Sequence, residues 1–316
     1  MGEVVGAALV AHVPTIVLPE ATRKELNEGR EISLVPGLHR MRQECLDRLR
    51  PDTIVVFDAH WFTTVEFVVA AHDHRAGLFT SDELPRGMAQ MPYDFPGDPT
   101  LAAAMAEEVN AAGSWMTPID DPHLPIHYPT TNLLPFLQGD ERWLSVSTAQ
   151  TAETDDFLLV GAAIGRAIAR TDRRVVLLAS GAMSHTFWKL KELRAHEASD
   201  PVHIRTPEAR TADLERLAWM EAGEHAKIVD TMPEFLRVRP EGMFGHYLMM
   251  VGAIGGRECV APGVRYSDYE NSIGTGQVHL WFDRPDAGFP APHATPSDPD
   301  YIRQMSAPGA DVPAAG

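Results

Sequence analysis

Residues 53–60 read Thr-Ile-Val-Val-Phe-Asp-Ala-His. The first five are β-branched or aromatic, the types that fit a pleated, packed surface. They show none of the apolar/polar alternation of a half-buried strand. The run therefore suits a strand covered on both faces. It ends at Asp58 and His60. The same arrangement occurs twice more. Residues 4–11, Val-Val-Gly-Ala-Ala-Leu-Val-Ala, lead into His12. Residues 175–179, Val-Val-Leu-Leu-Ala, lead through Ser-Gly-Ala-Met-Ser into His185. In open parallel sheets, ligands bind beyond the carboxyl ends of the strands. Three histidines far apart in sequence are thereby predicted to meet at one sheet edge, the geometry of a metal or acid/base site.

The segments between these runs support that arrangement. Leu38, Met41, Cys45 and Leu49 recur at helical spacing over residues 37–50, and Pro51-Asp52 stop the helix before the second run. A βαβ-like unit results. Further helices are predicted over 99–112, 155–170 and 206–228, and further strands over 65–71, 143–147 and 276–282. Residues 244–256 are apolar. Residues 75–98 read as a long surface excursion, a lid or a subunit contact. Residues 118–131 form a loop punctuated by Pro118, Pro122, Pro125 and Pro129. The expectation is one α/β domain over residues 1–283, with a central, mostly parallel sheet flanked by helices and an active site at the strand C-terminal ends. Residues 284–316 form a Pro/Ala/Gly-rich tail, read as disordered or as an arm on a neighbouring subunit.

Composition narrows the function. The 316-residue chain is 44% hydrophobic and carries a formal net charge of −17, without a cluster of Lys or Arg. That disfavours binding to nucleic acid or to an anionic membrane. No apolar run approaches the ~20 residues that cross a bilayer, and the N-terminal residues lack a basic region typical of a secretory signal. Two cysteines, Cys45 and Cys259, are too few for a disulfide framework or a thiolate metal site. A reducing cytoplasm is expected.

Fourteen histidines are more than one site needs. His39, His72, His74, His196, His225 and His293 lie in polar surroundings and read as surface residues, as does His203. His279 reads as a strand residue that packs or faces solvent. His12, His60, His127 and His185 stand apart by position. His12 precedes Val13-Pro14, which forces a turn. His127 lies in the Pro-rich loop. His185 follows small residues that let backbone approach a ligand closely. Asp58 reads either as a carboxylate that orients an imidazole or as a turn residue at the strand end. Two imidazoles and a carboxylate bind Fe(II) on one face and leave other positions open. Glu241, in Arg-Pro-Glu-Gly-Met-Phe-Gly-His-Tyr, is the candidate third ligand. It opens an apolar segment, where an unpaired charge is costly. Its alternative role is a helix N-terminal carboxylate. Spacing alone does not separate Fe(II) from Zn(II) or Mn(II).

At these residues the chain resembles the class III extradiol ring-cleavage dioxygenases, the protocatechuate 4,5-dioxygenase β-subunit superfamily. The motifs are His-Val-Pro at 12–14, Val-Val-Phe-Asp-Ala-His-Trp at 55–61, Thr-Ser-Asp-Glu-Leu-Pro at 80–85, Ala-Ser-Gly-Ala-Met-Ser-His at 179–185 and Gly-Thr-Gly-Gln-Val at 274–278. The resemblance runs over roughly residues 4–283. It implies His12, His60 and Glu241 as ligands of Fe(II), with Mn(II) as the alternative ion. It also implies His185 as the acid/base residue and His127 as a second active-site histidine. Ile-His-Tyr-Pro at 126–129 departs from the Asp-His-Gly of several relatives, which leaves His123 as a rival to His127. The implied reaction is extradiol cleavage of a catechol by O2 to a hydroxymuconic semialdehyde, in aromatic compound catabolism. Within the superfamily the chain looks most like the 3,4-dihydroxyphenylacetate 2,3-dioxygenases, which makes that catechol the first substrate expectation. A cytoplasmic homo-oligomer is implied. The alternatives on the same fold are a zinc-dependent hydrolase and a non-enzymatic binding protein. Metal analysis and oxygen uptake with a catechol separate them.

Overall fold

The structure is a computed structural model, which describes residues 1–292. Its strands, in chain order, are β1 (Glu3–Val10), β2 (Thr53–Thr63), β3 (Phe67–Ala70), β4 (His74–Phe79), β5 (Met91–Pro96), β6 (Met116–Ile119), β7 (Arg142–Ala149), β8 (Arg174–Ser180), β9 (Gly263–Arg265), β10 (Glu270–Ser272), β11 (Thr275–Gln277) and β12 (Leu280–Asp283). Eight of them form one sheet in the order β6-β3-β7-β2-β8-β1-β12-β9. The middle four, β7, β2, β8 and β1, are mutually parallel. Antiparallel pairs occur where β3 meets β7 and where β12 joins β1 and β9.

The three apolar runs occupy β1, β2 and β8, and their lack of alternation has a direct cause. Ala7, Leu9, Val55, Phe57, Leu177 and Ala179 pack into a core on one face. Ala8, Val10, Ile54, Val56, Val176 and Leu178 pack into a second core on the other. Helices Pro99–Ala111, Thr154–Arg170 and Gly245–Ala253 cover the first face, and the helical segment from Leu34 covers the second. Each fully buried Val, Leu, Ile or Phe among them contributes about 1.5–3 kcal/mol. Helix Thr154–Arg170 packs closely on Gly245–Ala253. A Cβ on Gly161 would lie 2.1 Å from the Met249 carbonyl oxygen, so only glycine permits that approach.

Several elements differ from the sequence expectation. The helix expected over 37–50 begins at Leu34 and contains a π-helical turn at Arg42–Leu46. The helix expected over 206–228 breaks after Glu221 and resumes at His225–Asp230, with Gly223 at φ +71° between them. The strand expected over 276–282 is two strands. β11 pairs with β10 in a hairpin, whereas β12 joins the main sheet. The excursion at 75–98 contains a two-stranded antiparallel hairpin, β4 with β5. Helix Pro99–Ala111 starts at Asp98, whose carboxylate accepts the Leu101 N–H at 3.1 Å, a cap worth about 1 kcal/mol. Of the tail expected over 284–316, residues 293–316, with His293, lie outside the described residues.

Candidate active site

The parallel register brings the ends of β1, β2 and β8 level. Val10 pairs with Ser180 and Asp58 pairs with Ser180, so His12, His60 and the Ser180–His185 turn leave the same edge. Glu241 reaches that edge from elsewhere. Its N–H bonds the Met183 carbonyl at 3.0 Å, and the His185 N–H bonds the Arg239 carbonyl at 3.0 Å. These two bonds clip the segment before Glu241 onto the turn after β8. Directly after Glu241 the backbone is left-handed at Gly242, Met243 and Phe244, with φ of 53°, 55° and 61°. The two non-glycine residues cost roughly 1–2 kcal/mol each, offset by full burial of Phe244.

Side chains converge on one carboxylate oxygen. Glu241 Oε1 lies 2.8 Å from His60 Nε2 and 3.5 Å from the Nε2 atoms of both His12 and His185. Ligating atoms of His12, His60 and Glu241 all fall within 4.8 Å of one another. Glu241 Oε1 is buried and receives no well-aligned hydrogen bond, while Oε2 accepts the Ala182 N–H at 2.5 Å. A buried carboxylate requires a compensating cation. Two imidazoles and a carboxylate around such an oxygen fit a divalent metal.

The side-chain orientations are set by neighbours. Ser180 Oγ donates to the Pro129 carbonyl at 2.8 Å and lies 3.0 Å from His12 Nδ1. With its only proton so placed, Ser180 accepts the His12 Nδ1–H, which leaves the Nε2 lone pair toward Glu241. The backbone around His12 is pinned as well. Asn132 Nδ2 donates to the His12 carbonyl at 2.8 Å, and the Ala11 N–H bonds His279 Nδ1 at 3.1 Å. Asp58 does not touch an imidazole. Its carboxylate accepts the His60 and Trp61 N–H groups and the Thr130 hydroxyl. It is the turn residue of the two readings. Behind the turn after β8, the buried Asp213 accepts Ser184 N–H at 2.9 Å and the hydroxyls of Ser184 and Tyr269, each at 2.6 Å.

A rim surrounds this floor. A cavity of about 590 Å³ opens beside His60, lined among others by Glu83, His123, His127 and Tyr128. His127 is half-buried and stacked on Trp61, with ring centroids 6.0 Å apart. His123 is exposed on the same loop. Tyr128 is buried, and its hydroxyl lies 2.7 Å from His60 Nε2. Sequence reasoning passes over Ser180, Tyr128, Glu83 and His246. All four lie within motifs that it quotes, but without a role. His246 is fully buried, neither ring nitrogen has a hydrogen-bond partner among the described residues, and a Cβ on Gly181 would lie 2.4 Å from its Nε2. Position 181 is therefore glycine because an imidazole packs against it. One histidine that reads from sequence as a surface residue is in fact core, and His279 takes the packed one of its two readings. His225 is fully buried between the Tyr247 hydroxyl and the Ala261 carbonyl, and His279 is fully buried beneath Ala11.

Electrostatics divide the histidines. Burial opposes a charge on His60, but Glu241 and Glu83 outweigh it and raise its pKa to about 10. Burial lowers His185 despite the pull of Glu241, so it is held neutral and able to accept a proton. Burial also lowers His127, against a weaker pull from Asp58. Burial works against the Glu241 carboxylate, but His185, His12 and His60 hold its pKa well below the usual range. Burial, with Glu241 and Glu83, pushes Tyr128 upward and keeps it a phenol.

A mostly parallel α/β sheet with a two-histidine, one-carboxylate edge defines a metal-centred enzyme class, and sequence comparison gives the class its name. Residues 6–276 match the family described as the catalytic LigB subunit of aromatic ring-opening dioxygenase, and the chain belongs to that family. It is an extradiol ring-opening dioxygenase. It is 29% identical over 259 residues to 3,4-dihydroxyphenylacetate 2,3-dioxygenase of Escherichia coli, covering 81% of this chain and 91% of the relative. It is 24% identical over 249 residues to the 2-aminophenol 1,6-dioxygenase beta subunit of a Pseudomonas species, covering 74% of this chain and 80% of that one. A solved structure of an uncharacterized protein from Escherichia coli K12 superposes with a TM-score of 0.60 at 17% identity, covering 88% of this chain and 99% of that one. That last likeness concerns the fold alone.

Proposed function

We propose that the chain binds Fe(II) through His12, His60 and Glu241 and opens a catechol beside its paired hydroxyls with O2. The product is a hydroxymuconic semialdehyde. The observation that carries this reading is the convergence of two imidazoles on the otherwise unsatisfied Glu241 Oε1. When bound, Fe(II) supplies a redox-active centre at which catechol and O2 become neighbours, which zinc does not. His185, neutral through burial and 3.5 Å from Glu241, takes the proton that a catechol hydroxyl releases. His127, on the cavity wall, would take up a proton from the open cavity and donate it to oxygen during ring opening. Tyr128, kept a phenol, lines the His60 side of the pocket with its hydroxyl 2.7 Å from His60 Nε2. Ala182 N–H fixes the second Glu241 oxygen.

The Escherichia coli relative supports 3,4-dihydroxyphenylacetate as the first substrate. Two buried free thiols, Cys45 and Cys259, suit a reducing cytoplasm. Among the described residues no helix is long and apolar enough to cross a membrane. A homo-oligomer completes the proposal and is read by light scattering. The deciding experiment is anaerobic reconstitution with Fe(II), then oxygen uptake and yellow product across a catechol panel. Stoichiometric oxygen consumption supports ring cleavage. Equal activity of Zn(II)-loaded protein without oxygen uptake would assign a hydrolase instead.

A further inference from the structure

We propose that Glu83 is a positioning residue for the ligand His60, and that Met88 bolts the hairpin tip carrying it onto the metal centre at a second point. The proposal rests on the ligand assignment given above. Glu83 lies in the tip between β4 and β5. Its Oε1 stands 3.4 Å from His60 Nδ1, the ring nitrogen opposite the one that faces Glu241. Its Oε2 accepts the Tyr128 hydroxyl at 3.3 Å. For His60 Nε2 to offer a lone pair to a cation, Nδ1 must carry the proton. A carboxylate beside Nδ1 selects that tautomer, fixes the ring and strengthens the ligand. Asp58 is engaged with backbone and leaves this task open. Each ligand histidine then has its own Nδ1 partner. For His12 it is the buried Ser180 hydroxyl; for His60 it is a carboxylate, 55% exposed, on a loop.

The tip is anchored well enough to serve. Residues 82–90 are exposed with one exception, Met88, which is fully buried. The Asn132 side-chain amide lies 3.4 Å from the Met88 sulfur and donates to the His12 carbonyl at 2.8 Å. Within the tip, Ser81 N–H bonds the Met88 carbonyl at 2.9 Å, and Leu84 N–H bonds Ser81 Oγ at 3.1 Å. One tip thus touches both ligand histidines: His60 through Glu83, and the backbone of His12 through Met88 and Asn132. The tip is a latch on the metal centre as well as a wall of the cavity.

The test is the rate at which a chelator strips iron from the loaded protein, measured beside thermal melting. Partners of metal-bound histidines are typically worth about 10–100-fold in affinity. The half-exposed Glu83 belongs at the lower end. Glu83→Ala should speed iron release about tenfold with little change in melting, because exposed charge pairs add little stability. Glu83→Gln keeps an acceptor oxygen and should restore most of the slow release. Met88→Ala should also speed release and expose the tip to protease. In Met88→Ala/Glu83→Ala the two effects should fall short of their product, as expected for a shared element. Wild-type release rates in Glu83→Ala would overturn the proposal, as would a Glu83→Gln protein as leaky as Glu83→Ala. Wild-type protein that retains no iron would instead overturn the ligand assignment beneath it.

Discussion

The floor and the rim of the site are held by different forces. On the floor, His12 and Glu241 are at most 4% exposed and hang from strand ends and backbone hydrogen bonds. On the rim, Glu83, His123 and His127 sit on a hairpin tip and a proline-rich loop, partly open to water. A buried charge without its partner costs several kcal/mol, so floor geometry is strictly enforced. A half-exposed pair is worth ~0–1 kcal/mol, so rim geometry survives substitution and tunes rather than creates the site.

That contrast orders the expected effects of mutation. Glu241→Ala should abolish iron binding and turnover together, as metal analysis would reveal; normal iron content would remove Glu241 from the floor. His185→Ala should keep its iron and lose about 10²–10⁴-fold in single-turnover rate, the usual range for an acid/base residue. Parallel loss of iron and rate would make His185 a ligand instead. Ser180→Ala removes the acceptor for the His12 Nδ1–H and should weaken iron affinity by about 10–100-fold, more than any Glu83 variant. A competitive chelator titration measures this, and a smaller effect than Glu83→Ala would invert the ranking of floor over rim.

On the rim, His127→Ala should lower the rate of ring opening by about 10²-fold or more if it transfers the proton. His123→Ala, altering an exposed side chain, should leave the rate near wild type. The reverse outcome would make His123 the second active-site histidine.

The smallest expected effect concerns pH and the floor. Burial lowers the His279 pKa to about 3, below the ~6.5 of an unfolded histidine. Between those values the unfolded chain binds more protons, so stability falls as pH falls from 6.5 toward 3. Protonation would also remove the acceptor for the Ala11 N–H beside His12. Melting temperature followed from pH 7 to 4 should drop less steeply in His279→Asn than in wild type. Identical slopes would show that His279 carries no acid sensitivity.

Much of the floor is readable in the chain. Continuous apolar runs ending in histidine announce strands buried on both faces, and parallel strands deliver the residues after their C-terminal ends to one edge. Gly181 belongs to a small-residue turn, but the reason for it, the His246 ring, lies 65 positions away. His225 escapes the sequence reading because polar neighbours in sequence say nothing of the apolar layers folded over it. The 276–282 run reads as one strand because Val278 and His279 have strand-like character, whereas β11 and β12 pair with different partners.

By itself the sequence determined the parallel α/β core, the family and the identity of the three residues at the strand ends. Periodicity and motif are local properties, and local properties are written in order along the chain. Tertiary structure decided which nitrogen of each histidine faces Glu241, that Ser180 rather than Asp58 holds an imidazole, and that a hairpin tip brings Glu83 beside His60. Those are contacts between residues far apart in sequence, set by the register of the sheet and the packing over it.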